Sequence, residues 1–266
     1  MCRLLLHWGK QEFNATELLI TAGNALLKQS RKDNTGRPNQ DGWGIVFERA
    51  GHWEIHKSTA PAFEDKDFEY LARQINSTFM LAHVRRRSQG PVSLENTHPF
   101  LIDEWAFMHN GNIPNLERIK KILSEKLPYS EALPCKGTTD SEWLFRYFYT
   151  QFKNNPDCPP ECILEIIRAI VKHIVQETPE EDYNMLALNF VLTNGKVIFA
   201  FRRNRPLHYL DYEEGIILAS EIIDDKDGWK ELPEDHYLLA YSPTEFEIIP
   251  QNYSQKTVEQ TFSQLK

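Results

Sequence analysis

Apolar and polar positions alternate along this chain with two different periods, and the periods change often. A short apolar run over residues 3–7 predicts a strand, and a helical pattern over 16–29 follows it. Asn14 with Glu17 three residues later has the spacing of a capping box at that helix start. Residues 31–40 are polar, carry Gly36 and Pro38, and predict a loop. Strands over 44–48 and 53–57 flank Gly51 as a hairpin. A charged amphipathic helix over 63–75 leads to a strand over 78–84, and a strand over 105–108 ends at His109-Asn110-Gly111.

Helices are predicted over 116–126 and 141–152. Ile163, Ile166, Ile167, Ile170, Val171 and Ile174 mark one buried face of a further helix. After it the period falls to two. Strands over 185–193 and 196–202 enclose Asn194-Gly195, the strongest short hairpin signal, and strands over 216–219, 237–240 and 246–249 follow. Strands and helices are interspersed with hairpins, so the expected class is α+β with mostly antiparallel sheets. With no repeat, low-complexity tract or flexible linker, one domain over 1–266 is the expectation.

Composition narrows the function classes. The chain has 266 residues, 41% apolar and 26% charged, as expected of a globular protein. Its formal net charge of -8 argues against general affinity for nucleic-acid phosphates. No apolar run is long enough to span a membrane, and the run Leu4-Leu5-Leu6 is too short for a signal peptide, so cytoplasmic residence is expected. Four cysteines, Cys2, Cys135, Cys158 and Cys162, are too few to predict a disulfide scaffold. Cys158 and Cys162, with two prolines between them, have no second Cys/His pair at zinc-binding spacing and predict the start of a helix.

Four features carry chemistry. Removal of the initiator methionine, common before a small residue, would put a thiol and a free α-amine on Cys2. That amine, with a pKa of about 8, is suited to take the thiol proton. The bland alternative is a chance cysteine near a terminus. Arg85-Arg86-Arg87 follows a strand and reads as a phosphate-binding run, a solvated turn, or one inward arginine gripping a carboxylate. Neighbours on a strand alternate faces, so Arg85 and Arg86 cannot both point inward. Asn110-Gly111 has no second alternating strand after it. A side-chain amide and a glycine N–H can converge there on one oxygen, as an oxyanion hole requires. Asp140 falls in the first turn of a helix whose Thr139 and Glu142 fit a capping box, so it reads either as a helix-dipole partner or as a carboxylate for a substrate ammonium. His83 and His98 read mainly as structural residues.

In this order the features resemble the class II glutamine amidotransferases, the glutaminase domains of glucosamine-6-phosphate synthase and amidophosphoribosyltransferase. Asp41-Gly42-Trp43-Gly44-Ile45, Ala219-Ser220-Glu221 and Asp227-Gly228-Trp229 extend the resemblance toward the stand-alone, YafJ-like branch, which includes thiol-metabolism hydrolases. The resemblance implies a four-layer αββα N-terminal-nucleophile hydrolase fold. It makes Cys2 the nucleophile, Asn110 and Gly111 the oxyanion pair, and Arg85, Ser88 and Asp140 substrate-binding residues. It implies cleavage of the γ-carboxamide of glutamine, or of a γ-glutamyl peptide or thiol conjugate, with no cofactor and no metal. A separate ammonia-acceptor protein is the one macromolecular partner it suggests, and a catalytically idle binding module is the contrasting alternative. Arg86 stands where synthases usually have an aromatic residue that gates ammonia, which leaves gated transfer in question.

Overall fold

The computed structural model describes residues 2–126, 134–153 and 157–253. The chain opens with β1 (Arg3–Asn14), a π-helical turn (Glu17–Thr21), α1 (Leu26–Arg31), β2 (Trp43–Arg49), β3 (His52–Ser58), α2 (Lys66–Gln74) and β4 (Asn76–Val84). Then come β5 (Phe100–Ile102), β6 (Trp105–Asn112), α3 (Leu116–Lys126), α4 (Asp140–Lys153) and α5 (Pro160–Glu177). A 3-10 turn (Glu180–Asp182) leads to β7 (Ala187–Thr193), β8 (Ile198–Arg202), β9 (His208–Tyr212), β10 (Gly215–Ala219), β11 (Lys230–Glu231), β12 (His236–Ser242) and β13 (Glu245–Pro250).

The strands form two sheets, ordered β11-β9-β10-β1-β4-β2-β3 and β13-β12-β8-β7-β6-β5. Their pairings are antiparallel, which matches the α+β expectation. Three apolar clusters show how the layers stack. Leu4, Leu6, Phe79, Leu81, Met108, Val191, Ile216 and Leu218 belong to a cluster supplied by both sheets and by no helix, so the sheets face each other. Leu5, Ile45, Met80 and Ile217 pack against the π-helical turn, α1 and α2 on one outer face. Phe107, Leu188, Phe190 and Phe199 pack against α3, α4 and α5 on the other. The result is an αββα sandwich.

Several elements differ from expectation. The helix read over 16–29 is broken: Ala22 and Ala25 are extended, and Asn24 N–H donates to Ile223 O at 2.7 Å. Contacts from the C-terminal part of the chain thus interrupt a pattern that is locally helical. The Asn14–Glu17 capping box does not form. Asn14 ends β1, and its Oδ1 accepts from Thr16 N–H at 3.0 Å. β6 continues through His109, Asn110 and Gly111, because β7 pairs with them opposite Phe190, Asn189 and Leu188. Cys158 and Cys162 do begin a helix, with Pro160 at its first position, but they are also joined by a disulfide that the sequence reading did not anticipate. No helix among the described residues is long and apolar enough to cross a membrane.

Candidate functional site

Strand alternation aims the chemistry at one end of the sandwich. On β1, Leu4, Leu6 and Trp8 face the other sheet, so Cys2, one step before the strand, continues on that side. On β4, Phe79 and Leu81 face inward, and the same alternation carries His83 and then Arg85 inward. On β6, Ala106 and Met108 do so, and Asn110 follows. The three strands come from both sheets, yet all three deliver polar residues to the same gap.

Arg85 is buried, Arg86 half-buried and Arg87 exposed, so one arginine of the run turns inward. Its Nη1 donates to Pro91 O at 3.0 Å and its Nη2 to Gln89 O at 2.9 Å. A guanidinium has five N–H donors, so three remain for another partner. Arg86 is drawn the other way, its Nη1 lying 3.3 Å from Asp33 Oδ2 and 3.5 Å from Thr35 Oγ1. Ser88 is exposed on the loop after Arg87.

Cys2 Sγ lies 3.3 Å from both the N and the O of Arg86, accepting from one and donating to the other. Burial pushes its thiol up to about 11, against the opposing pull of the Arg86 N–H, Arg85 and Arg3. Asp140 acts on the same sulfur with the opposite sign to Arg85. The thiol therefore sits within the field of two buried cations, Arg85 and Arg3, and one buried anion, Asp140.

Asp140 opens α4, and its Oδ2 accepts from Ile113 N–H at 2.7 Å. Next to it, Ser141 Oγ lies 2.9 Å from His109 Nδ1. These two contacts fix the head of α4 to the end of β6, beside Asn110 and Gly111. Gly111 faces the helix side, where a β-carbon would overlap His109 Nε2 and Ala187 O. The loops around the site are tied by Asn96, which is buried. Its Nδ2 donates to Pro91 O at 3.1 Å and its Oδ1 accepts from Thr138 N–H at 2.8 Å. Thr139 Oγ1 caps Glu142 N–H at 3.2 Å, but the Glu142 carboxylate accepts from Lys136 and Gly137 rather than completing the box.

His83 and His98 stack with ring centroids 4.3 Å apart, both buried, and burial holds both neutral far below the ordinary histidine range. Their rings pack against one another, and His98 also meets Phe100 edge-on.

Sequence reasoning gave no role to the charges behind Cys2. Arg3 Nη1 donates to Cys2 O at 2.8 Å, while its other nitrogens pair with Glu221 and, at 3.0 Å, with Asp33. All three residues are buried. The available signal was a cation heading an apolar strand, Arg3 before Leu4-Leu5-Leu6. A buried charge in such a place must be paired. Met1 lies outside the described residues.

The sequence pattern of the glutamine amidotransferases class-II family matches residues 21–239 of this chain. A probable glutamine amidotransferase of Saccharomyces cerevisiae is 32% identical over 160 residues, 56% of this chain and 44% of that protein. This chain thus aligns with less than half of the yeast protein's length. A gamma-glutamyl-hercynylcysteine sulfoxide hydrolase of Mycolicibacterium smegmatis is 27% identical over 241 residues, 89% of this chain and 94% of that protein. The glutamine phosphoribosylpyrophosphate amidotransferase structure from B. subtilis superposes with a TM-score of 0.64 at 18% identity, covering 95% of this chain and 50% of that one. At that identity the likeness speaks to the fold, which is that of the N-terminal-nucleophile amidotransferases. With the family pattern spanning most of its length, the chain belongs to the class II glutamine amidotransferases.

Proposed function

We propose that this chain hydrolyses the γ-amide bond of glutamine or of a γ-glutamyl amide through a thioester on Cys2. The observation that carries this reading is the pair of opposite buried charges, Arg85 and Asp140, acting on the one thiol. An α-amino acid head presents a carboxylate and an ammonium, and that pair is its complement. Arg85 binds the carboxylate through its remaining donors and Asp140 binds the ammonium. Removal of Met1 frees the Cys2 α-amine, which accepts the thiol proton as sulfur attacks the γ-carbonyl carbon. Asn110 Nδ2 and the Gly111 N–H stabilise the oxyanion, a contribution of about 3 kcal/mol for each donor. The ammonium formed on Cys2 then protonates the departing nitrogen, and the C–N bond breaks. Water attacks the thioester with the same amine as base, releasing glutamate and the free thiol.

Two observations favour a hydrolase of γ-glutamyl conjugates over an ammonia-transferring synthase. Arg86, at the position of the synthase gate, is engaged with Asp33 and Thr35. The relative matched over 94% of its length is named as a gamma-glutamyl-hercynylcysteine sulfoxide hydrolase. The residue at 86 and the nature of the leaving group are therefore linked in this reading.

The test is glutamate release from glutamine, γ-glutamyl dipeptides and γ-glutamyl thiol conjugates. Cys2→Ala is expected to lose all of it, and so is a chain that keeps Met1, whose amide nitrogen cannot act as base. Retained turnover in either form defeats the mechanism. A processed wild-type chain with no turnover on the whole panel indicates an idle binding module instead.

A further inference from the structure

We propose that Ser220 is a positioning residue for the Asn110 amide, and so for the oxyanion site of the reaction proposed above, on which this inference rests. β10 pairs with β1 as far as Ala219 opposite Leu5. One residue further, a side chain takes over from the ladder. Ser220 N–H donates to Leu4 O at 3.0 Å, and the Leu4 N–H donates to Ser220 Oγ, also at 3.0 Å. The same oxygen accepts from Asn110 Nδ2 at 3.4 Å.

Leu4 belongs to one sheet and Asn110 to the other. A single buried hydroxyl therefore joins the strand that follows Cys2 to the amide across the gap. Alternation puts it there: Ile216 and Leu218 face the opposite sheet, and Ser220 is the next residue of that series. Glu221 turns to the other side and pairs with Arg3, which holds Cys2 O. The end of β10 thus reaches toward both partners of the proposed chemistry, through two consecutive side chains.

An asparagine amide can present its nitrogen or its oxygen to a given point, and only the nitrogen donates. With one amide hydrogen directed at Ser220 Oγ, the second hydrogen is left to meet an oxyanion. Without the hydroxyl, the amide loses the contact that holds its nitrogen end in place. The 3.4 Å separation is long for a hydrogen bond, as catalytic contacts commonly are before substrate tightens them.

A double-mutant cycle on the full chain tests this, read by steady-state hydrolysis of whichever γ-glutamyl amide the wild type turns over. Ser220→Ala is expected to lower kcat about 10-fold and leave KM within about twofold, because the lost contact acts on the transition state. Ser220→Thr, which keeps the hydroxyl, is expected to restore most of the rate. In an Asn110→Ala background, Ser220→Ala is expected to change kcat by less than about twofold, the signature of action through one partner. An equal loss in both backgrounds, or an effect confined to KM, overturns the proposal. If Ser220→Ala loses its fold by circular dichroism, Ser220→Cys carries the same cycle with a weaker acceptor of similar volume. An active, Cys2-dependent wild type with an additive cycle overturns this inference alone. A wild type silent on every γ-glutamyl amide overturns the proposed function and this inference together.

Discussion

Burial raises the Cys2 thiol to about 11, and the arginines nearby do not reverse it. Burial therefore keeps the thiol protonated at neutral pH while Met1 is attached, and the attacking thiolate is made during the reaction by a base within reach. This is the physical reason the proposed mechanism needs the free α-amine and cannot rely on a standing thiolate. Arg85 gives a second residue-scale prediction. Arg85→Lys keeps the charge but loses the planar fork, and with it the two loop carbonyls of Gln89 and Pro91. KM for a γ-glutamyl amide is expected to rise about 10- to 100-fold with a smaller change in kcat, the loss typical of a charge-assisted hydrogen bond. An unchanged KM in steady-state assays would remove Arg85 from the binding role. The candidate site residues stand out in the sequence because each proposed chemistry has its own residue type: a thiol at the chain head, a cation after a strand, Asn-Gly, an acid at a helix start. Arg3, Asp33 and Glu221 do not, because their roles consist of pairing across long stretches of chain, Arg3 with Asp33 and, 218 positions away, with Glu221.

Elements whose signals are local read well, and those that owe their form to distant neighbours do not. Asn194-Gly195 and Gly51 mark turns through the backbone freedom of glycine, and Gly51 and Gly195 have positive φ in the structure, as does Ala50 against its own preference. The apolar face from Ile163 to Ile174 became α5. In contrast, β5, β9 and β11 are short and were missed. Each exists by pairing: β5 with β6, and β9 with β10 and β11. β6 was cut short for the same reason, since its last residues are held by β7. That extension changes how Gly111 is understood. Placed inside a paired strand, it has no room for a side chain, whatever its part in catalysis. Gly111→Ala is expected to destabilise the protein by about 1–3 kcal/mol through overpacking against His109 and Ala187. Urea denaturation measures this, and an unshifted midpoint would show that the strand end yields freely. Activity lost in this variant therefore cannot by itself assign Gly111 to the oxyanion hole, whereas loss in Asn110→Ala is open to that interpretation.

The whole molecule buries neutral histidines in two layers. His7 lies on the outer side of its sheet, beside Tyr212, and burial lowers it to about 3. His83 and His98 stack near the site; burial lowers His83 to about 3 and His98 well below the ordinary 6.5. A histidine that stays neutral in the fold but protonates when unfolded takes up a proton only on unfolding. Its folded pKa is depressed, so stability is complete above about 6.5 and declines as pH falls below that value, toward 3 for His7 and His83. Each such group contributes a slope of up to about 1.4 kcal/mol per pH unit. Asp33, also depressed, adds its loss only below the ordinary carboxylate value of 3.8. Between pH 6.5 and 4 the histidines should therefore dominate acid sensitivity. The urea midpoint is expected to be flat from pH 8 to 7 and to fall steadily from 6.5 to 4.5. His7→Phe, which keeps an aromatic ring against Phe13, is expected to reduce that slope without touching the site. A midpoint that stays level to pH 4.5 would mean that these rings reach protons without unfolding, and that the sandwich opens locally around them.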